Sequence, residues 1–182
     1  MTQLMNELHQ DHQQISVLLT ILKNKLATLE SGARPNFSLM AEVVDYLSDY
    51  SGSFHHQRED VLYRYLLEHC ASHAGSLRQP WQEHQHLAQL TSELGRATQA
   101  AMLDTPISLE RFARLLGEFI DKQQQHLSLE EHKLFPLAQR CLDQSDWRAI
   151  AALLPEPLDP RVKSGHQRRY RELTQALIDD LA

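Results

Sequence analysis

Two stretches of this 182-residue chain place an imidazole and a carboxylate four residues apart. One is Phe54-His55-His56-Gln57-Arg58-Glu59-Asp60-Val61-Leu62-Tyr63, where His55 precedes Glu59. The other is His126-Leu127-Ser128-Leu129-Glu130-Glu131-His132-Lys133-Leu134-Phe135-Pro136, where His126 precedes Glu130. On an α-helix four residues advance about 400°, leaving such a pair ~40° apart and ~6 Å along the axis. One face then offers a nitrogen donor and a carboxylate able to reach one ion or to bridge two. That is the chemistry of a metal site. The spacing alone is weak, because 11 His and 13 Glu in 182 residues give about 0.8 such pairs by chance and two are found. Its weight comes from where the pairs fall.

They fall inside apolar stripes. Leu4, Leu8, His12, Ile15, Leu19, Leu22, Leu26 and Leu29 recur at steps of three and four, which predicts a helix over about 3–30 with His12 as its one polar stripe member. A second helix over about 38–70 carries Met40, Val44, Leu47, Ser51, His55, Glu59, Leu62 and Leu66, with a bend expected at Gly52. Beyond the break at Ser72–Ser76, a third carries Leu77, Trp81, His84, Leu87, Thr91 and Leu94. Asp104-Thr105-Pro106 is a turn, and Ser108 opens a fourth helix with Phe112, Leu116, Phe119, Gln123, His126, Glu130, Leu134 and Leu137. Pro136 is expected to kink its last turns. Helices joined by short turns pack antiparallel with their stripes facing one interior. The fold class expected is all-α, an up-down-up-down four-helix bundle over residues 1–142. A short helix, a Pro-rich connector and a C-terminal helix over 143–182 are expected to pack on it.

In that interior stand His12, His55, Glu59, His84, His126 and Glu130. A buried polar group without a partner costs roughly 1–3 kcal/mol, so six in one layer call for something that holds them, and a metal centre does. His9, His56, His86 and His132 lie off the stripes and are read as outer or solvent-facing. His56 with Asp60 repeats the four-residue spacing and competes with His55 and Glu59 if the second helix is rotated by one residue. His69 and His73 share that spacing beside Cys70, close to the helix-breaking Gly75.

Composition narrows the classes. A formal charge of −6 argues against nucleic-acid binding. Cys70 and Cys141 form no C-x-x-C pair, in keeping with a reducing compartment. No window approaches 18 apolar residues and the N-terminal residues lack a signal-peptide pattern, so no membrane partner and a cytoplasmic location are expected. Arg161, Lys163, Arg168, Arg169 and Arg171 form a basic stretch, read as a solvated helix face.

Leu8-His9-Gln10-Asp11-His12, the Phe54–Leu62 stretch, Glu83-His84-Gln85-His86-Leu87 and the run from His126 to Pro136 together resemble a hemerythrin-like (HHE) domain over about residues 1–140. The resemblance implies a four-helix bundle with a non-haem di-iron centre, two Fe ions with an oxo or hydroxo bridge. Its ligand positions fall on His12, His55, Glu59, His84, His126 and Glu130. Oxygen carriers of this family have a second His four residues after the third-helix ligand, where this chain has Ala88. Their fourth-helix acid lies five residues past the His, which makes Glu131 the alternative to Glu130. Two glutamates against two divalent ions leave a residual +2, which favours an anionic bridge and small ligands such as O2, NO or peroxide. The residues by themselves admit Mn or Zn as well as Fe. The resemblance implies a protein that binds or senses such ligands, in oxidative or nitrosative stress or in repair of iron centres. A di-iron oxidase or peroxidase and a helical interaction module with a structural metal are the alternatives.

Overall fold

The computed structural model describes residues 2–32, 35–70, 77, 79–103, 108–155 and 160–180. Every element among the described residues is a helix, with no strand among them. Helix α1 spans Gln3–Glu30, its first turn capped by the Thr2 side chain, which accepts from the Met5 N–H. It ends at Gly32, whose φ of 93° suits the residue that follows a helix C-terminus. Asn36 caps α2, Phe37–Leu47, by accepting from the Leu39 N–H at 3.1 Å.

From α2 the chain passes straight into a π-helical segment, Ser48–His55, and then α3, His56–His69. The bend expected at Gly52 is therefore a stretch of wider helix rather than a break. Helix α4 spans Gln79–Met102. Ser108 caps α5, Leu109–Leu129, by accepting from the Arg111 N–H. A second π segment, Glu130–Leu134, follows, and then α6, Phe135–Cys141. Pro136 has no N–H to give and would crowd the preceding turn. The widened turn just before it absorbs that misfit, and the Phe135 N–H bonds five residues back to the Glu130 carbonyl. Helix α7, Gln144–Leu153, begins with a capping box between Asp143 and Asp146. Helix α8 spans Pro160–Asp179.

Helix α1 lies against α5, α2 against α4, and α4 against α5, while α8 packs on α1 and α2 and α7 on α3. Leu173 and Leu177 bury the apolar face of α8, and the Lys25 ammonium reaches both the side chain and the carbonyl of Asp180. Leu181, expected to continue that face, lies outside the described residues. Trp81, expected inside, is 54 % exposed; Leu77, Pro80, His84, Leu87 and Leu90 form the inward row of that region instead.

The apolar interior forms two clusters. One gathers Ile15, Leu19, Leu22, Met40, Leu47, Leu94, Phe112 and Phe119. The other gathers Leu4, Leu8, Leu62, Tyr63, Leu66, Leu134 and Phe135. In α1 His12 falls between Leu8 of one cluster and Ile15 of the other, and His126 and Glu130 are followed by Leu134 in the same way. A polar layer is thus held between two apolar plugs, each buried Leu adding roughly 1.5–3 kcal/mol to its retention.

Candidate metal centre

Six side chains from α1, the first π segment, α3, α4, α5 and the second π segment converge in that layer, none more than 5 % exposed: His12, His55, Glu59, His84, His126 and Glu130. His12 Nε2 lies 3.1 Å from both His55 Nε2 and Glu59 Oε1. His55 Nε2 is 3.2 Å from Glu59 Oε1, and His126 Nε2 is 3.2 Å from Glu130 Oε2. His84 Nε2 stands 3.5 Å from Glu59 and 3.6 Å from Glu130, and His12 Nε2 stands 3.4 Å from Glu130. Every Nε2 points inward, toward the two carboxylates.

The outward nitrogens follow one rule. His55 Nδ1 meets Asp11 at 3.1 Å, His84 Nδ1 meets Asp60 at 2.8 Å, His126 Nδ1 meets Glu83 at 3.0 Å and His12 Nδ1 meets Glu131 at 2.7 Å. A carboxylate only accepts, so each Nδ1 carries a proton and each Nε2 is left as the donor atom of the neutral ring. Carboxylate-backed imidazoles are the usual arrangement around a metal, fixing tautomer and ring orientation. The four links also close a ring. The acid beside His12 backs the ring at the end of the first π segment, the acid beside Glu59 backs α4, the acid beside His84 backs α5, and the acid beside Glu130 backs α1.

Glu131, the alternative ligand, is thereby placed. It is partly exposed and shared between His12 and His9, while Glu130 is fully buried and accepts from Tyr63 Oη at 2.7 Å. Asp11 accepts from Tyr50 Oη at 2.6 Å and from the buried Arg58, which also donates to Glu7. A chain of oriented groups therefore runs from the surface to His55. The π segments lie at the same level, one ending at His55 and the other beginning at Glu130. Such segments change helix phase locally and are frequent at functional sites.

Charge in the layer is strongly coupled. Burial alone would push His12 and His84 toward neutrality. The nearby carboxylates of Glu130, Glu131 and Glu59 outweigh it for His12 and raise it to about 12; those of Asp60, Glu130 and Glu59 raise His84 to about 11. Burial would raise Glu59, but His55, His12 and His84 bring it well below the ordinary carboxylate range. Glu130 is lowered too, against burial and the Glu59 charge, by His126, His12 and His84. Without a metal, protons do part of the work of cations here. They do not do all of it: Glu59 Oε2, Glu130 Oε2, His84 Nε2 and His126 Nε2 are buried with no hydrogen-bond partner. Two nitrogens and two carboxylate oxygens converging without partners are the donor set of a divalent transition-metal ion. The residues fit the group.

Donor atoms of His12, His55 and Glu59 lie within 4.8 Å of one another, and so do those of His56, Glu59, His84 and His126. Glu59 belongs to both groups, each of which could hold a metal ion. The family model of the hemerythrin HHE cation-binding domain matches residues 3–138. This chain belongs to that family. Comparison with curated proteins returns no match.

The remaining histidines of this HHE domain sort cleanly. His69 is exposed, stacks on Tyr65 and bonds through Nδ1 to its own helix at the Tyr65 carbonyl; His73 lies outside the described residues. His132 is exposed and bonds to the Ser128 carbonyl, and His86 is exposed. His56 is the departure. Read as outer, it is 8 % exposed and stacked on His84. Asp60, its competing partner by spacing, turns to His84 instead. Ala88 is exposed, with Leu87 and Thr91 facing inward, so position 88 of this helix does not address the centre. The stripe reading passed over Asp11, Asp60 and Glu83 as well. Their signal was adjacency, since each stands next to a residue of the six.

Proposed function

We propose that this HHE domain is a non-haem di-iron protein that binds or senses O2, NO or peroxide. His12 and His55 would hold one ion and His84 and His126 the other, with Glu59 and Glu130 the carboxylates available to both. The observation that carries the reading is the set of four partnerless buried donor atoms between carboxylate-backed imidazoles. The fold we propose for it is the up-down-up-down bundle over 1–142, with 143–182 packed on its side.

Two ferrous ions would supply reversible one-electron chemistry and affinity for small diatomic or anionic ligands. The chain's own residues do the rest. Asp11, Asp60, Glu83 and Glu131 fix the imidazole tautomers, Tyr63 holds one oxygen of Glu130, and the apolar clusters exclude bulk water. If both glutamates span the pair, six residues supply about eight donor bonds against the roughly ten to twelve that two five- or six-coordinate ions take. The shortfall leaves room for a small ligand, in keeping with a role in oxidative or nitrosative stress or in repair of iron centres.

The test is anaerobic addition of NO, O2 and, after oxidation, azide to the iron-loaded protein. New charge-transfer absorption within one or two ligands per chain is expected. No spectral response to any of the three would overturn the ligand-binding reading and leave a sealed structural metal. Sustained turnover of peroxide with a reductant would favour the enzyme reading instead.

A further inference from the structure

The six residues divide evenly, two imidazoles to each ion position, and leave His56 without an explanation. A buried imidazole 4.1 Å from His84 and 5.6 Å from His126, ring centre to ring centre, is not ordinary core filling. One of its donor atoms lies within 4.8 Å of those of Glu59, His84 and His126.

Helix geometry gives the reason. Successive α-helical residues are ~100° apart, so taking His55 as zero places Glu59 at ~40° and His56 at ~100°. The shared carboxylate stands between two adjacent imidazoles. His55 falls on the His12 side of it and His56 on the His84 and His126 side, which is how the two donor groups divide. The π segment ends at His55, so the regular turn that carries both rings and Glu59 starts at the level of the layer. Helix α4 offers no second imidazole to the layer, because its His86 faces outward.

We propose that His56 is the third nitrogen ligand of the ion held by His84 and His126. This rests on the di-iron reading above and makes its two ions unequal. One has three imidazoles; the other, held by His12 and His55, has two. In the metal-free arrangement the His56 and His84 rings are 12° from parallel, and planes so disposed cannot both contain one ion. One ring has to turn on loading. Asp60 holds His84 in place, whereas no carboxylate backs His56 among the described residues, so His56 is the ring that turns.

The experiment loads metal-free wild type, His56→Ala and His56→Phe with Co(II), in competition with a chromophoric chelator, and records the d–d spectrum. Phenylalanine keeps the stacking on His84 and removes only the nitrogens. Expected are two ions in wild type, and in both variants an unchanged first affinity with a second weakened at least ~10-fold. Free imidazole should restore the second site in His56→Ala, where there is room for it. Two ions bound by both variants with wild-type affinity and spectrum would overturn the proposal. So would a loss confined to His56→Ala, since that marks stacking rather than ligation. Failure of the wild type itself to take two ions would instead overturn the di-iron reading.

Discussion

Glu130 and Glu131 are neighbours of the same type to which the proposed centre gives opposite tasks, and removing their charges one at a time separates the tasks. Glu131→Gln removes a charge that backs His12 from a partly exposed position at 2.7 Å. The amide oxygen can still accept from Nδ1, so the ring keeps its orientation and loses basicity. Loss of an outer-shell partner lowers metal affinity by about 10–100-fold, and retention of an acceptor puts this variant near tenfold, about 1.4 kcal/mol. Glu131→Ala forfeits the acceptor as well and moves toward the hundredfold end. Glu130→Gln strikes a fully buried group with oxygens within 3.6 Å of His12, His84 and His126. It replaces an anionic donor by a weak neutral one, and loss of one of the two ions is expected. Elemental analysis after equilibration with a chelator of known affinity, at fixed pH, reads both effects. If Glu131→Gln strips the metal while Glu130→Gln retains two ions, the assignment of ligand and backing residue is inverted.

Three further outcomes follow from the same layer. The metal-free protein should melt lower than the loaded form: binding to the folded state alone adds about 2.7 kcal/mol at a hundredfold excess over Kd, or about 5–11 °C for a chain this size, and calorimetry showing equal melting would contradict a core site. Loading at pH 7 should release two or more protons, because His12 at about 12 and His84 at about 11 are protonated without metal; calorimetry in buffers of different ionisation enthalpy should show this, with affinity rising as pH rises. The sign for the metal-free fold is separate. The raised histidines stabilise it fully below about 6.5 and lose that contribution only toward pH 11–12, while the lowered Glu59 and Glu130 contribute above about 4.5 and lose it on acidification. Ala88→His should leave metal content and reaction of the loaded protein with O2 unchanged, since that side chain faces solvent; slowed autoxidation would show that α4 turns inward on loading.

The helices, the Ser108 cap and the six inward residues were legible because one buried stripe per helix repeats at a fixed period, and a polar residue on a stripe stands out. The stripes kept their phase through both π segments, since Glu59, Leu62, Leu134 and Leu137 are buried as expected. No residue pattern announced the π segments Ser48–His55 and Glu130–Leu134 themselves. His56, one residue off its stripe, reads in sequence as outer or solvent-facing, and the structure buries it against His84 because the inward face there is wider than one stripe. Trp81 erred the other way, since an aromatic at stripe spacing near a helix start can lie over solvent when a proline one residue earlier fills the inward place. The backing acids stood beside the six, but their task could not be read from that adjacency alone. Each lies on one helix and serves an imidazole on the next, a relation that exists only once the helices are packed.

The layer is proposed to hold two metal ions between its buried imidazoles and two glutamates. Anaerobic titration of metal-free protein with ferrous iron, followed by desalting and elemental analysis, tests it most directly when a His55→Ala/His126→Ala chain is carried in parallel. The account predicts two ions per wild-type chain and loss of tight binding in the double variant. Equal iron in the two proteins, or none in the wild type, would contradict it.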